Sequence, residues 1–290
     1  MGKILKPIKE YVAALKQALK EKIEKMEKAP QLAIVQVGNV EASNRYVKNK
    51  VKDCQEVGIV AHVYHFEDGI TEWELIDEVL DLQEHYHGII VQLPLPQHIR
   101  SDRVIAAIKP EKDVDGFRYD SWFKAATPKG IMDYLEYCNF DLEGKNVVII
   151  GRGPTVGRPL AAMMTDANAT VTLCHSKSKL SSFIYQADLV IVAVGKPGFF
   201  NCYPIHSPII DVGINVDENG KLVGDCINKE DRDVTPVPGG VGLLTRVALL
   251  DNVRQACLME EKAQMKCAVN GQCRMDCNFY NNGGCKYATE

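Results

Sequence analysis

Short apolar runs rich in β-branched residues alternate with helix-patterned stretches in two successive blocks, and few folds accommodate that rhythm. The first block starts with an amphipathic helix over 8–28, closed near Pro30. Leu32–Val37 follows as a buried strand ending at Gly38, then a helix over 43–57 with Gly58 at its C-terminal cap. Ile59–Phe66 reads as a strand, 71–84 as a helix and Gly88–Leu93 as a third strand. From Asp115-Gly116 to Thr127-Pro128 the pattern becomes an irregular connection. The second block then sets strands at Val147–Ile150, Ala169–Leu173, Leu189–Val194 and Ile209–Val212, with a helix over 156–164. A final helix over roughly 243–262 lies beyond all the strands and is placed back against the first lobe.

Strand–helix alternation makes parallel βαβ units, so the expected fold is α/β with two parallel-sheet lobes. The expected division is 1–118, 119–245, the returning helix 246–262 and a cysteine-rich tail 263–290. Length allows either one large domain or two ordinary ones. A net charge of −4 argues against nucleic acid as a partner. No stretch approaches the ~20 apolar residues of a membrane span, and the first residues lack a signal peptide's apolar segment. The profile is cytoplasmic. Cys54, Cys138, Cys174, Cys202 and Cys226 are scattered as reduced thiols usually are, whereas Cys257, Cys267, Cys273, Cys277 and Cys285 crowd toward the end.

The strand Asn146–Ile150 runs into Gly151-Arg152-Gly153-Pro154-Thr155-Val156-Gly157 and then a helix. Glycines allow a tight turn and close backbone approach to a pyrophosphate, whose charge the helix N-terminus stabilises. The next strand ends Leu173-Cys174-His175-Ser176-Lys177, with no carboxylate to receive a ribose 2′-hydroxyl. A hydroxyl, an imidazole and an ammonium stand there instead, and Arg152 is within reach of the same place, which favours NADP over NAD.

Ser43, Tyr46 and Lys50 fall at i, i+3 and i+7, on one helical face. By themselves a tyrosine and a lysine so spaced usually mark a solvated face rather than a site. Gln92 is a polar residue ending an apolar strand, the place where open α/β sheets bind ligands. Lys112-Asp113-Val114-Asp115-Gly116-Phe117 puts two carboxylates in a glycine turn, which ordinary turn chemistry also explains.

At these residues the sequence closely resembles the methylenetetrahydrofolate dehydrogenase/methenyltetrahydrofolate cyclohydrolase family. The matching stretches are Ser43–Lys50 continuing to Gly58-Ile59, Gly88–Pro96, Pro110–Phe117, Gly151–Pro159, Ala187–Phe199, Ile210–Asn215 and Thr235–Gly242. The resemblance implies that Lys50 is the catalytic acid and base, with Gln92 bonded to it. As a residue type, lysine serves near neutral pH only where burial or neighbouring charge disfavours the cation. The resemblance further implies that Tyr46 stacks on the folate's aminobenzoyl ring and that Asp115 receives the pterin's amide and amino groups. Ser43, Pro238 and Gly239 would border the substrate, in a cleft between lobes. Gly151, Arg152, Gly153, Gly157, His175, Ser176 and Ile214 would hold NADP. The implied activity is oxidation of methylenetetrahydrofolate followed by hydrolysis in the same site, by a homodimer.

Four places depart from the family pattern: a shortened loop Arg118–Trp122, Ala126-Thr127-Pro128 for Cys-Thr-Pro, Gly153 for a common serine, and Leu243-Leu244 for Pro-Met. None removes Lys50, Tyr46, Gln92 or Asp115. A dehydrogenase without appreciable cyclohydrolase activity, another NADP-dependent α/β enzyme such as a shikimate-type dehydrogenase, and a non-catalytic NADP-binding sensor are the competing readings. No resident metal is expected; the alternative is a site made by Cys267, Cys273, Cys277 and Cys285, whose spacings lack paired two-residue gaps.

Overall fold

The computed structural model describes residues 4–201, 205–227, 233–270, 280–281 and 284–285. The chain divides into two compact units. The first lobe comprises Lys20–Val114 and Asp251–Glu290, the second Met1–Leu19 and Asp115–Leu250.

Helix α1 (Ile8–Ile23) is followed by β1 (Gln31–Val37), α2 (Glu41–Val57), β2 (Val60–Phe66), α3 (Glu72–Leu82), β3 (Gly88–Val91) and α4 (Ser101–Ala107). The first-lobe sheet has the order β2-β1-β3, all parallel. Gly58 ends α2 in the left-handed region, with φ +90°, where glycine lacks the Cβ penalty. Thr71 caps α3 reciprocally with Glu74, fixing its start. Val35, Val37, Ile89 and Val91 cover one sheet face with Leu75, Val79 and Val104 from the helices.

The second lobe contains α5 (Ala126–Tyr137), β4 (Asn146–Ile150), α6 (Gly157–Asp166), β5 (Thr170–Cys174), α7 (Ser181–Ile184), β6 (Leu189–Val192) and β7 (Ile209–Asp211). A small hairpin, β8 (Asn215–Val216) with β9 (Leu222–Val223), precedes α8 (Val241–Asn270). Tyr280–Asn281 and Gly284–Cys285, β10 and β11, pair antiparallel. The four parallel strands run β5-β4-β6-β7. Val147 and Ile149 face one buried cluster and Val148 and Ile150 the other, so β4 is apolar on both faces, as a central parallel strand must be.

By internal contacts the second unit resumes at Asp115, where the expected boundary was 118, and the described residues before Lys20 group with it. Ile8 and Val12 are buried beside Tyr134 and Leu135, the Tyr134 hydroxyl donates to Lys6 O at 2.7 Å, and Ile4 N–H donates to Asp233. Helix α5 lies within the stretch expected to be irregular up to Thr127-Pro128 and unassigned beyond it. The last helix begins at Val241, with its residues up to Leu250 in the second lobe. Its later turns return to the first lobe as expected. Asn252 Nδ2 donates to Val114 O at 2.8 Å, and Lys28 N–H donates to Glu261 at 3.3 Å.

Candidate functional site

In the first lobe, β1 is the middle strand, and the chain leaves it toward β2 and later returns on its other side as β3. That reversal opens a crevice at the carboxyl end of β1. Gly38 turns the chain there with φ +73°, in the left-handed region that favours glycine, and a Cβ would stand 2.0 Å from Asp68 Oδ1. Gln36, buried near the end of β1, donates through Nε2 to Asn44 Oδ1, tying the start of α2 to the strand.

The helix resolves the question its spacing left open. Ser43 is buried and Tyr46 and Lys50 are half-buried on the inward face with Val47 and Cys54, while Lys48, Asn49 and Lys52 are exposed. Lys50 is therefore not one of the solvated lysines. Asp53, which sequence reasoning passed over, is a buried carboxylate one turn beyond Lys50. Its only sequence cue was its place at i+3. Burial pushes the Cys54 thiol up to about 12, with Asp53 adding to the effect and Lys50 opposing it.

Gln92 follows β3 at the same end of the sheet. Its N–H donates to Val35 O at 2.8 Å and its Nε2 to Leu93 O at 2.7 Å. Its Oε1 is buried with no hydrogen-bond partner among the described residues. An unmade bond at such an oxygen costs about 1–3 kcal/mol, so it marks a place where a donor is expected. Leu93–Pro94 beside it is cis.

Asp115 is buried, and its main-chain oxygen accepts the Ala126 N–H at 3.1 Å. Gly116 has φ +70°, and a Cβ there would lie 2.5 Å from Ala125 N, so the turn closes against the start of α5. In the shortened loop Arg118 pairs with Asp120 at 2.8 Å and Tyr119 is fully exposed.

The glycine turn of the second lobe sits where β4 has β5 on one side and β6 on the other, again the reversal point of the sheet. Gly151 has φ +116°, and its absent Cβ would stand 2.1 Å from Ala193 O. A Cβ at Gly157 would stand 1.9 Å from Gly151 O, which lets α6 start hard against the turn. Around Gly153 nothing lies within 4 Å of an added Cβ, so the turn's backbone is open to a ligand there. After β5, Ser178 Oγ accepts the His175 N–H at 3.0 Å, and His175 Nδ1 accepts the Lys177 N–H at 3.1 Å. Ser176, Lys177 and Arg152 are exposed, and Arg152 forms no ion pair among the described residues. Open backbone, two unscreened cations and no carboxylate suit a pyrophosphate and a 2′-phosphate.

Val237–Pro238 is cis, and Gly239 has φ +96°. Pro238 is exposed and Gly239 half-buried. Ile214 is exposed, with its Cδ1 3.2 Å from where a Gly242 Cβ would be. Leu244, where the family pattern has Met, is buried with its backbone against Gly130. Cys273 and Cys277 lie outside the described residues, and Cys267 and Cys285 are described only through their backbone. Among the described residues no metal-binding cluster of His, Cys, Asp or Glu occurs. Sequence reasoning also missed Asp211 and Asp225, both fully buried in the second lobe.

Two family models match: the tetrahydrofolate dehydrogenase/cyclohydrolase catalytic domain over residues 7–115, and the NAD(P)-binding domain of the same family over 125–261. The bifunctional protein FolD of Campylobacter jejuni is 43% identical over 262 residues, covering 83% of this chain and 93% of that protein. FolD of Staphylococcus aureus is 38% identical over 265 residues, covering 84% and 93%. The crystal structure of the C. jejuni enzyme, a methylenetetrahydrofolate dehydrogenase/cyclohydrolase, superposes with a TM-score of 0.83 at 41% identity, covering 88% of this chain and 98% of that one. The Trypanosoma brucei enzyme, solved with NADP cofactor and inhibitor, gives a TM-score of 0.83 at 29% identity, covering 90% and 100%.

Proposed function

The chain belongs to the tetrahydrofolate dehydrogenase/cyclohydrolase family, and from that premise we propose how its own residues divide the work. It is an NADP-dependent methylenetetrahydrofolate dehydrogenase and methenyltetrahydrofolate cyclohydrolase. The substrate is oxidised to the methenyl compound, which is then hydrolysed to formyltetrahydrofolate in the same site.

Lys50 is the proton-transfer group. The observation that carries this assignment is its half-buried place on the inward face of α2, between two exposed lysines. Gln92 Oε1, buried without a donor among the described residues, is the acceptor that orients an ammonium or a protonated substrate nitrogen. Tyr46 offers its ring to the aminobenzoyl group one turn before Lys50. Asp115, held by the Gly116 turn, accepts from the pterin's amide and amino groups. Ser43, Pro238 and Gly239 border the substrate.

NADP, when bound, supplies the hydride acceptor. Gly151, Gly153 and Gly157 would hold its pyrophosphate at the start of α6, and Arg152 and Ser176 its 2′-phosphate, with His175 and Ile214 beside it. Orientation and exclusion of water are what this protein adds to the oxidation. In hydrolysis Lys50 moves the proton as water attacks the methenyl carbon and the ring opens.

The working unit we propose is a homodimer in the cytoplasm. The family resemblance supports the first, and free thiols at Cys54, Cys138, Cys174, Cys226 and Cys257 support a reducing compartment. Among the described residues no helix is long and apolar enough to cross a membrane.

The test follows NADPH formation and methenyl consumption separately on purified protein. Both activities are expected. Dehydrogenase activity alone would leave Lys50 without the role assigned to it in hydrolysis.

A further inference from the structure

The loop that leaves β6 is held by one carboxylate. Asp225 is fully buried, and its Oδ2 accepts the N–H groups of Val194 at 2.7 Å and Gly195 at 2.9 Å. Its Oδ1 accepts from Lys196 N at 2.8 Å and Asn215 Nδ2 at 2.9 Å. Three consecutive amides converging on an anion form a nest of the kind that elsewhere receives phosphate. Here the chain fills the nest from within, so no phosphate can use these donors.

Asp225 is itself fixed. Asp211 accepts the Asp225 N–H at 2.9 Å and the Cys226 N–H at 3.1 Å. Neither carboxylate leaves room for a side chain opposite it. A Cβ at Gly213 would stand 2.2 Å from Asp225 Cγ, and one at Gly224 would stand 1.9 Å from Asp211 Oδ2.

The anchored loop borders the glycine turn. β6 and β4 are paired neighbours, and Ala193 O occupies the space that a Cβ on Gly151 would need. A shift of Val194–Lys196 therefore moves a wall of the dinucleotide seat.

We propose that Asp225 is a positioning residue for the dinucleotide, acting through Val194–Lys196, and that it is required for oxidation but not for hydrolysis. The proposal rests on the reading of the second lobe as the NADP seat. The physical reason is the charge: a neutral group of the same shape cannot hold three amides and one side-chain donor at once. Hydrolysis of the methenyl compound needs no nucleotide, so it reports whether the rest of the protein is sound.

Asp225→Asn is the variant, since its amide keeps the volume but turns one acceptor into a donor facing N–H groups. Three quantities are measured: amide hydrogen exchange at Val194–Lys196 without ligand, the Kd for NADPH, and nucleotide-free hydrolysis of methenyltetrahydrofolate. Lost protection at those amides is expected, with NADPH binding weaker by about tenfold to hundredfold and hydrolysis held within about twofold. Unchanged exchange and binding would overturn the proposal, as would a parallel fall in hydrolysis. If Asp225→Asn does not fold, Asn215→Ala removes one donor and leaves the carboxylate. Binding weaker by about threefold with hydrolysis intact then supports the proposal, and no change overturns it. Wild-type protein that binds no NADPH would overturn the reading of the lobe itself, and the proposal with it.

Discussion

Lys112 Nζ lies 2.8 Å from Glu260 Oε2 and 2.8 Å from Tyr86 O, which fastens α8 to the first lobe through the segment that also carries Asp115. The lysine side chain is 7% exposed and the glutamate 19%, so the pair is largely desolvated. Removing one member of such a pair leaves a buried charge, costing about 3–5 kcal/mol, with the lower end expected here because Glu260 keeps some solvent. Lys112→Met should lower the unfolding free energy measured in urea by that amount. Adding Glu260→Leu should recover part of the loss. A double variant no more stable than the single would refute the pairing.

His87 gives the same region a pH dependence. Burial pushes its pKa below the ordinary value, Glu260 opposes this, and Lys112 and Lys28 add to it. Its Nδ1 accepts the Gln31 N–H at 2.9 Å, which uses the lone pair that a proton would take. The unfolded chain thus takes up a proton near pH ~6.5 and the folded chain only at lower pH. Stability is full above that value, falls as pH drops through it, and stops falling below the depressed one, at no more than about 1.4 kcal/mol per unit. Urea midpoints measured across this range should lose much of their slope in His87→Asn.

Arg152 stands at the glycine turn without an ion pair among the described residues. Arg152→Ala should weaken NADP binding by about 1.5–3 kcal/mol, the worth of a charge-assisted phosphate contact, and leave NAD nearly unchanged. Calorimetry with both nucleotides decides it; equal losses would remove Arg152 from the 2′-phosphate.

Lys50→Met keeps most of the stem and removes the nitrogen. Hydrolysis of methenyltetrahydrofolate should fall roughly 10²–10⁴-fold, the range for one positioned proton-transfer group. Folate binding should persist through Tyr46 and Asp115. Activity within about threefold of wild type would send the proton through another group.

A chain ending after Glu261 keeps the bonds of Glu260 to Lys112 and of Glu261 to Lys28. Its dehydrogenase activity should be close to that of the full chain. Zinc and iron in the full chain, purified under reducing conditions, should fall below about a tenth of an equivalent; more would support the four-thiolate alternative.

The sequence by itself determined what is local. The apolar run of β4, the turn at Gly151, Gly153 and Gly157, and the missing carboxylate after β5 were legible because strand pattern and turn chemistry act over a few residues. Helix α5 was not. It carries Pro128 in its first turn, which a helix tolerates, and Gly130, where a Cβ would stand 2.8 Å from Leu244 O. The burial of Ile131, Tyr134 and Leu135 in the second-lobe core, far apart in sequence from their partners, also favours the helix. Tertiary structure likewise decided that Lys50, not Lys48 or Lys52, turns inward, and that residues 4–19 join the second lobe. It also brought Asp225 onto amides about thirty positions earlier in the chain. These outcomes depend on packing and hydrogen bonds between distant segments, which no short window of sequence contains.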